Sequence, residues 1–312
     1  MRFTANEIKR MAKKKSNIAT KWTSPFTLSL LIGLSLISLI FIVLILWGLS
    51  TSVKTIDDFM NNKVWLPSGN IFQWAWDNYL TAFSVFKVKL VTAAGTRYVY
   101  IEEMLLNSFL YAVVGAFIQT FSVCWVAYLT QRYRYKFSEF IYVAVIVVMI
   151  VPSLNSQASL LKIARFLNVY DTMFSFYFMK LSFTNMFYLV FFASFKTLPK
   201  DYDESAMVDG ANDFIIFFKI MFPLASGAFL TVFLLNFMGY WNDYMTPLVF
   251  IPSKYTVAYG VYYLVTGASD NILSRTPMKM AICFLYSLPI LVIYIIFRDK
   301  VMNNVNIGGI KE

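Results

Sequence analysis

An all-α integral membrane protein with six membrane-crossing helices, several of them kinked, and a cytoplasmic helical elbow is the fold this sequence predicts. Three observations carry that reading. Hydrophobic residues make up 59% of the 312-residue chain and charged residues 14%, with a mean hydropathy of +0.61, too apolar for a water-soluble domain. Charge-free runs recur along the chain, and a hydrocarbon core of about 30 Å asks for about 20 apolar residues in a helix. Between two of the later runs lies a charged, amphipathic stretch, 204–223, reading ESAMVDGANDFIIFFKIMFP.

Five runs have full spanning length: 22–53, 104–131, 140–161, 220–242 and 280–297. A sixth, 181–195, reaches only about 22 Å at about 1.5 Å per residue. Extending it back through 172–179 restores the length but places Lys180 inside the span. The first run follows basic residues as a secretory signal would. It is longer than an apolar signal region of roughly 7–15 residues and lacks a small-residue cleavage site, so it reads as a retained anchor.

Lys9, Arg10, Lys13, Lys14, Lys15 and Lys21 crowd the N-terminus, which the positive-inside rule holds in the cytoplasm. The chain then divides into a basic N-terminal segment (1–25), a six-helix transmembrane domain (26–298) and a cytoplasmic tail (299–312). Alternation places 51–103, 162–171 and 252–278 outside, and 132–139 and 196–219 inside with Arg132, Arg134, Lys136, Lys196 and Lys200. Lys87, Lys89 and Arg97 fall in the long outer loop, where charge constrains topology weakly. That loop also carries Trp65, Pro67, Gly69, Trp74, Trp76 and Tyr79, the composition of a folded segment with aromatics near the lipid headgroups.

Several function classes fall away. The net charge of +10 sits on no water-soluble basic face of the kind nucleic acid binding requires. There is no histidine, the commonest general base and metal ligand. The two cysteines, Cys124 and Cys283, lie inside expected spans and offer neither a disulfide framework nor metal spacing. Catalysis by this chain alone is not expected.

The third span is interrupted by Pro152, with Ser153, Asn155, Ser156 and Gln157 close behind. Proline removes a backbone donor and bends a helix, and polar groups at membrane depth are tolerated where they face protein or a watery cavity. Pro247 and Pro289 mark similar breaks. Asn155 and Gln157 are therefore candidates to line a pathway, against the alternative that they pack between helices.

The stretch from 196 to 223 reads as two helices joined at a glycine. Pro199 suits a helix start; Asp201, Asp203 and Glu204 follow where the helix dipole favours negative charge. Gly210 can take the left-handed conformation that ends a helix, and Asn212 or Asp213 can cap the next. There Phe214, Phe217, Phe218 and Met221 recur at i, i+3, i+4 and i+7, an apolar stripe of the kind used in helix-in-groove docking. An amphipathic elbow lying on the membrane surface is the alternative. Five acids stand against three lysines here, whereas interfacial helices carry a Lys/Arg-rich polar face.

Glu204-Ser205-Ala206, Gly210 four residues later, then Ile220, Phe222 and Pro223 resemble the EAA motif of bacterial ABC importer permeases. Further matches are to the MalG-type carbohydrate permeases. These are Phe195-Lys196-Thr197-Leu198-Pro199-Lys200 before the motif, Trp241-Asn242-Asp243-Tyr244 with Pro247-Leu248 after it, and the ending Asn306-Ile307-Gly308-Gly309-Ile310-Lys311. Asn78-Tyr79 and Asn107-Ser108 add weaker matches. Two positions depart from the family pattern: Ser205 stands for the usual Ala and Phe222 for the usual Leu.

The resemblance implies a type I ABC importer permease fold in the bacterial cell membrane. The expected partners are a second permease, an ATP-binding cassette ATPase dimer, an extracellular or periplasmic solute-binding protein and membrane lipid. The chain has no G-x-x-x-x-G-K-[ST] phosphate cradle, so no cofactor is expected on it, with ATP and Mg belonging to the ATPase. The implied coupling residues are Glu204, Ser205, Ala206, Asp209, Gly210, Phe214, Phe217, Phe218, Ile220 and Pro223. Outer loops 51–103 and 252–278 become the docking surface for the binding protein, with Gly267-Ala268-Ser269-Asp270-Asn271 a loop tip.

A carbohydrate stacks on aromatic rings, and aromatics are 19% of the chain. Trp241, Asn242, Asp243 and Tyr244 are the expected pathway contacts, unless that cluster packs against the third span or a partner permease. Asp243 is expected to pair with Lys162, Arg165 or Lys180, since an intramembrane charge is costly alone. Two alternatives stay open. One is the same architecture importing another solute such as an acidic or modified glycan, suggested by Lys87, Lys89, Arg97 and Arg275. The other is a membrane enzyme or an ion-coupled secondary transporter; inverted repeats and midplane charges would mark the latter, and the sequence shows neither.

Overall fold

The computed structural model describes residues 24–92, 95–133, 135–150, 156–267 and 272–305. The chain forms two compact units, the first running to Asn78 and the second from Tyr79 onward.

In the first unit, helix α1 (Pro25–Ser52) begins where Ser24 accepts a hydrogen bond from the Thr27 amide and Pro25 presets the first turn. Its 28 residues extend about 42 Å, with no part of its most apolar window buried within the chain. A helix hydrophobic on every side belongs in lipid or against other membrane protein. Beyond it, α2 (Ile56–Asn61) is capped by Thr55. The chain folds back so that the buried Lys54 ammonium donates to the Asn62 carbonyl at 2.6 Å. Asn78 secures the base by donating to the carbonyls of Ser52 and Lys54 at 2.9 and 2.8 Å.

The second unit opens with the rest of α3 (Asp77–Val85) and an antiparallel hairpin, β1 (Lys87–Thr92) and β2 (Gly95–Tyr100), with Val88 opposite Val99. An all-α reading left this hairpin out. Its signal is the period-two alternation of Lys87-Val88-Lys89-Leu90, which buries Val88 and Leu90 and leaves the lysines outside the core. Of the cations weighed for an acidic substrate, Arg97 pairs with Glu103 at 2.8 Å and Lys87 lies 4.7 Å over the Tyr98 ring.

Helix α4 (Ile101–Arg132) is the axis of this unit. It carries a π turn at Leu110–Val114 and packs against α5 (Lys136–Ile150), α8 (Met186–Lys196) and α11 (Ser226–Trp241). Val123, Cys124, Ala127 and Tyr128 present small and aromatic surface to Tyr188, Phe191 and Phe195. Polar groups stitch the helices together: Thr130 and Tyr188 share a hydrogen bond of 2.6 Å, and Asn236 donates to Thr120 at 3.0 Å. Gln119 donates to the Ser182 carbonyl at 2.7 Å and accepts from Tyr240 at 3.2 Å. Such pairs are how membrane helices satisfy polar side chains.

Three of the six expected spans are single long apolar helices: α1, α4 and the Thr276–Arg298 part of the last helix, α14 (Thr276–Val305). The fifth is a pair, α10 (Asp213–Leu224) and α11, bent by 75°. The third region holds α5 and α6 (Ser156–Phe166), while Pro152 and Asn155 between them lie outside the described residues. The fourth is not one helix. α7 (Met173–Met179) ends at Lys180, and α8 starts afresh at Asn185, whose side chain accepts from the Phe187 amide. Lys180 lies against aromatic faces, 5.1 Å from Phe176 and 4.6 Å from Tyr240. α9 (Asp201–Val208), α12 (Met245–Phe250) and α13 (Val257–Gly267) complete the order. Pro247 falls in α12, and Pro289 inside α14.

Gly115 sits where α4 and α7 touch. A Cβ there would lie 2.5 Å from the Phe176 ring, which stacks on Tyr111 at 3.9 Å. We expect Gly115→Leu to destabilise the detergent-solubilised chain by about 1–3 kcal/mol, the range for overpacking a filled core. Thermal unfolding followed by fluorescence checks this; an unchanged midpoint would mean that the two helices do not meet there.

Candidate functional site: the elbow and the aromatic cluster

The elbow is built from α9 and α10. α9 ends in a Schellman arrangement: the Gly210 amide bonds the Met207 carbonyl at 3.0 Å and the Ala211 amide bonds that of Ala206 at 2.9 Å. Gly210 takes φ +82°, a conformation costly for residues with a Cβ. Asn212 caps α10 by accepting from the Ile215 amide at 2.9 Å.

Two ties hold this elbow to the end of α4. Arg132 and Asp203 form an ion pair, both side chains less than a tenth exposed. The Arg132 guanidinium also donates to the carbonyls of Pro199 and Lys200 at 3.4 and 3.3 Å. Tyr133, at the C-cap of α4, faces Asp213 of α10; burial first, and then this carboxylate, push its phenol above the ordinary value. Aromatic packing completes the joint. Phe217 is fully buried, 4.5 Å from the Trp125 ring and 4.9 Å from Tyr128, with Ala206, Ile216 and Met221 in the same core.

The expected apolar stripe is therefore split. Phe217 and Met221 turn into the chain's own core, in a π turn (Phe217–Met221), whereas Phe214 (64% exposed) and Phe218 (49%) lie outward over Trp125. Ile220 is half-buried and Pro223 exposed at the bend into α11. Glu204, Ser205, Asp209 and Gly210 are exposed. Sequence reasoning did not single out Met207, Val208 (88% exposed), Ile215 or Tyr202 as surface residues of this face. Nor did it join Arg132 to Asp203. The available signal was the Met-Val pair just before the helix-ending glycine, where a chain seeking only solubility would be polar.

Both departures from the family pattern fit. Ser205 is on the surface with its hydroxyl donating to the Asp201 carbonyl at 2.7 Å. Phe222 fills space between Phe217 and Phe229, at 5.8 and 4.9 Å.

The second set of expected residues, 241–244, divides by role. Trp241 is buried, donating to the Tyr286 carbonyl at 3.3 Å, and Tyr286 returns its hydroxyl to the Trp241 carbonyl at 2.7 Å and to the Asn242 side chain at 3.0 Å. Its packing partner is thus α14, with Phe109 of α4 edge-on at 5.5 Å. The Asp243 carboxylate accepts from the Tyr111 hydroxyl at 2.7 Å and from the Thr246 amide at 3.0 Å. No ion pair to Lys162, Arg165 or Lys180 forms among the described residues. Tyr244 stacks on Tyr262 at 4.4 Å. Gln157 is exposed at the start of α6, and Asn155 is outside the described residues. Gly267 ends α13; positions 268–271 are likewise not described.

The family profile described as "Binding-protein-dependent transport system inner membrane component" matches residues 123–305, from the middle of α4 through the elbow to the end of α14. The chain belongs to that family. Among curated relatives of this transport component, the inner membrane ABC transporter permease protein YcjP of Escherichia coli is 27% identical over 77% of this chain and 81% of its own length. The arabinooligosaccharides transport system permease protein AraQ of Bacillus subtilis is 28% identical over 66% and 72%. The probable starch degradation products permease AmyC of Thermoanaerobacterium thermosulfurigenes is 25% identical over 91% and 95%. A chain of a bacterial ABC transporter involved in the import of the acidic polysaccharide alginate shares the fold with a TM-score of 0.71 at 18% identity, covering 88% of this chain and 95% of its own. The type I permease fold expected from the sequence is thus the observed one. The chain is a membrane-embedded transport subunit, not an enzyme.

Removing one member of a buried ion pair strands the other, at about 3–5 kcal/mol, whereas replacing both by apolar groups is often neutral or better. We expect Arg132→Met and Asp203→Leu each to lower the unfolding midpoint clearly and the double variant to recover most of the loss. Equal, additive losses in a double-mutant cycle would show that the two side chains do not act as a pair.

Proposed function

We propose that this permease subunit imports a carbohydrate, most simply an oligosaccharide, in an ATP-driven complex. It forms the pathway with a second permease and takes force from a separate ATPase dimer through the α9–α10 elbow. A single observation carries the coupling assignment. The elbow exposes Glu204, Met207, Val208, Asp209 and Phe214 at its tip, while Arg132–Asp203, Ala206 and Phe217 lock its root onto α4. A rigid root with an adhesive tip is what a lever requires, and such spacing suits insertion into a groove on a partner.

The sugar assignment rests on relatives named for arabinooligosaccharides and starch degradation products. In this reading ATP and Mg bind the partner ATPase, a binding protein delivers the substrate to outer loops 51–103 and 252–278, and both termini are cytoplasmic. Asn242, Asp243 and Tyr244 border the pathway, with Trp241 as their buried support. Closure of the ATPase around nucleotide moves the elbow; because the elbow is tied to α4, and α4 packs on α8 and α11, the displacement reaches the bent fifth span.

Glu204→Ala or Gly210→Pro should abolish uptake of labelled oligosaccharide in cells carrying the complete system, with the chain still inserted in the membrane. Proline cannot adopt φ +82° and lacks the amide that Gly210 gives to Met207. Normal uptake by both variants would remove the coupling assignment. Titrating the cognate binding protein against a glycan panel tests the substrate class separately.

A further inference from the structure

We propose that residues 60–76 form a membrane-interface anchor, folded back along α1 and seated at the headgroup–acyl boundary of the lipid. Three independent observations lead there.

The first is depth. The Trp47 indole N–H donates to the Lys63 carbonyl at 2.9 Å, and the Ser50 hydroxyl to that of Trp65 at 3.4 Å. Trp47 lies five residues before the end of α1, about 7 Å back along the helix axis. A helix of about 42 Å matches a bilayer of about 40–45 Å including both headgroup regions around a core of about 30 Å. The segment that returns to Trp47 therefore occupies one interfacial slab.

The second is the surface it presents. Trp65 is 78% exposed and Phe72 93%, joined by Met60, Val64, Leu66, Ile71 and Trp76. Ile45, Leu46 and Leu49 in the same turns of α1 are exposed as well. Tryptophan at the edge of such a band is the usual interfacial anchor.

The third is how its backbone is satisfied. Irregular backbone near hydrocarbon is tolerated only when its polar groups have partners. Here the carbonyls of Asn62, Lys63, Trp65 and Leu66 accept from Lys54, Trp47, Ser50 and Asn62 respectively, and the Trp65 amide donates to the Asn62 side chain. Asp58 takes both the amide and the hydroxyl of Ser68. A loop made for water would have no need to close so many acceptors on itself, and an aqueous loop would not leave its largest apolar side chains uncovered.

The occupant of this face is lipid, which leaves the rest of loop 51–103 and loop 252–278 to the binding protein; the binding protein or a partner permease covering 60–76 are the competing outcomes. Nitroxide labels at Trp65→Cys and Phe72→Cys, in a Cys124→Ser, Cys283→Ser background, would be compared with Asp57→Cys in the full chain. The chain is reconstituted in phosphatidylcholine vesicles with the subunits that copurify. We expect oxygen to relax the labels at 65 and 72 strongly while a water-soluble nickel chelate does not, with the reverse at 57. Chelate access at 65 and 72 equal to that at 57 would place the segment in water. Exclusion of both relaxants would place it under protein. Either result overturns the anchor without touching the elbow assignment. Should the substituted background fail to fold, quenching by brominated phosphatidylcholine decides instead. Trp65→Phe with Trp76→Phe must remove a quenched fraction of the wild-type emission, and identical fractional quenching would refute the proposal.

Discussion

The buried pairing of Arg132 with Asp203 is the contact on which the elbow's geometry depends. Arg132 ends the long central helix and Asp203 lies in the first turn of the elbow, 71 residues later in the chain. Burying two opposite charges contributes little net stability, because desolvation offsets most of the attraction. Among the described residues, one carboxylate oxygen of Asp203 has no hydrogen-bond partner. What the pair supplies is direction: a guanidinium fork has a fixed geometry, and here it also grips two backbone carbonyls at the entry to α9. Leucine and phenylalanine at those positions would bury area but would tolerate sliding.

Around that pair, the aromatic residues act as a second constraint. Trp125, Tyr128 and Phe217 meet in edge-on and tilted geometries, arrangements favoured by the ring quadrupoles. Because Phe217 belongs to α10 and the other two to α4, movement of the elbow cannot leave α4 behind without opening this core. In the proposed coupling, the bend of 75° between α10 and α11 would turn displacement along the membrane surface into displacement of a helix that crosses it. The tie between elbow and span is thus one of packing, with the glycine and asparagine at the elbow serving to set its shape.

The Tyr111–Asp243 hydrogen bond illustrates the same economy within the bundle. An acid expected to seek a lysine is instead held by a hydroxyl and a backbone amide, while Lys180 rests on two aromatic faces. Both side chains are held by dipoles and ring faces, with no direct ion pair between them among the described residues.

Much of this was legible in the residues. Charge-free runs mark the long spans because no water reaches a bilayer core. Gly210 and Asn212 mark the elbow because only certain residues end and begin helices well. Other features were not. The stripe of Phe214, Phe217, Phe218 and Met221 has one periodicity but two fates, since it straddles the border between core and surface and only the position of α4 decides which edge goes in. The split of the fourth span at Lys180, the hairpin at 87–100 and the return of 60–76 along α1 depend likewise on distant partners. Local chemistry determined which segments are apolar, which bend and where helices stop. The tertiary structure alone decided which charges meet and which aromatics remain outside, because those outcomes are set by neighbours tens of residues away.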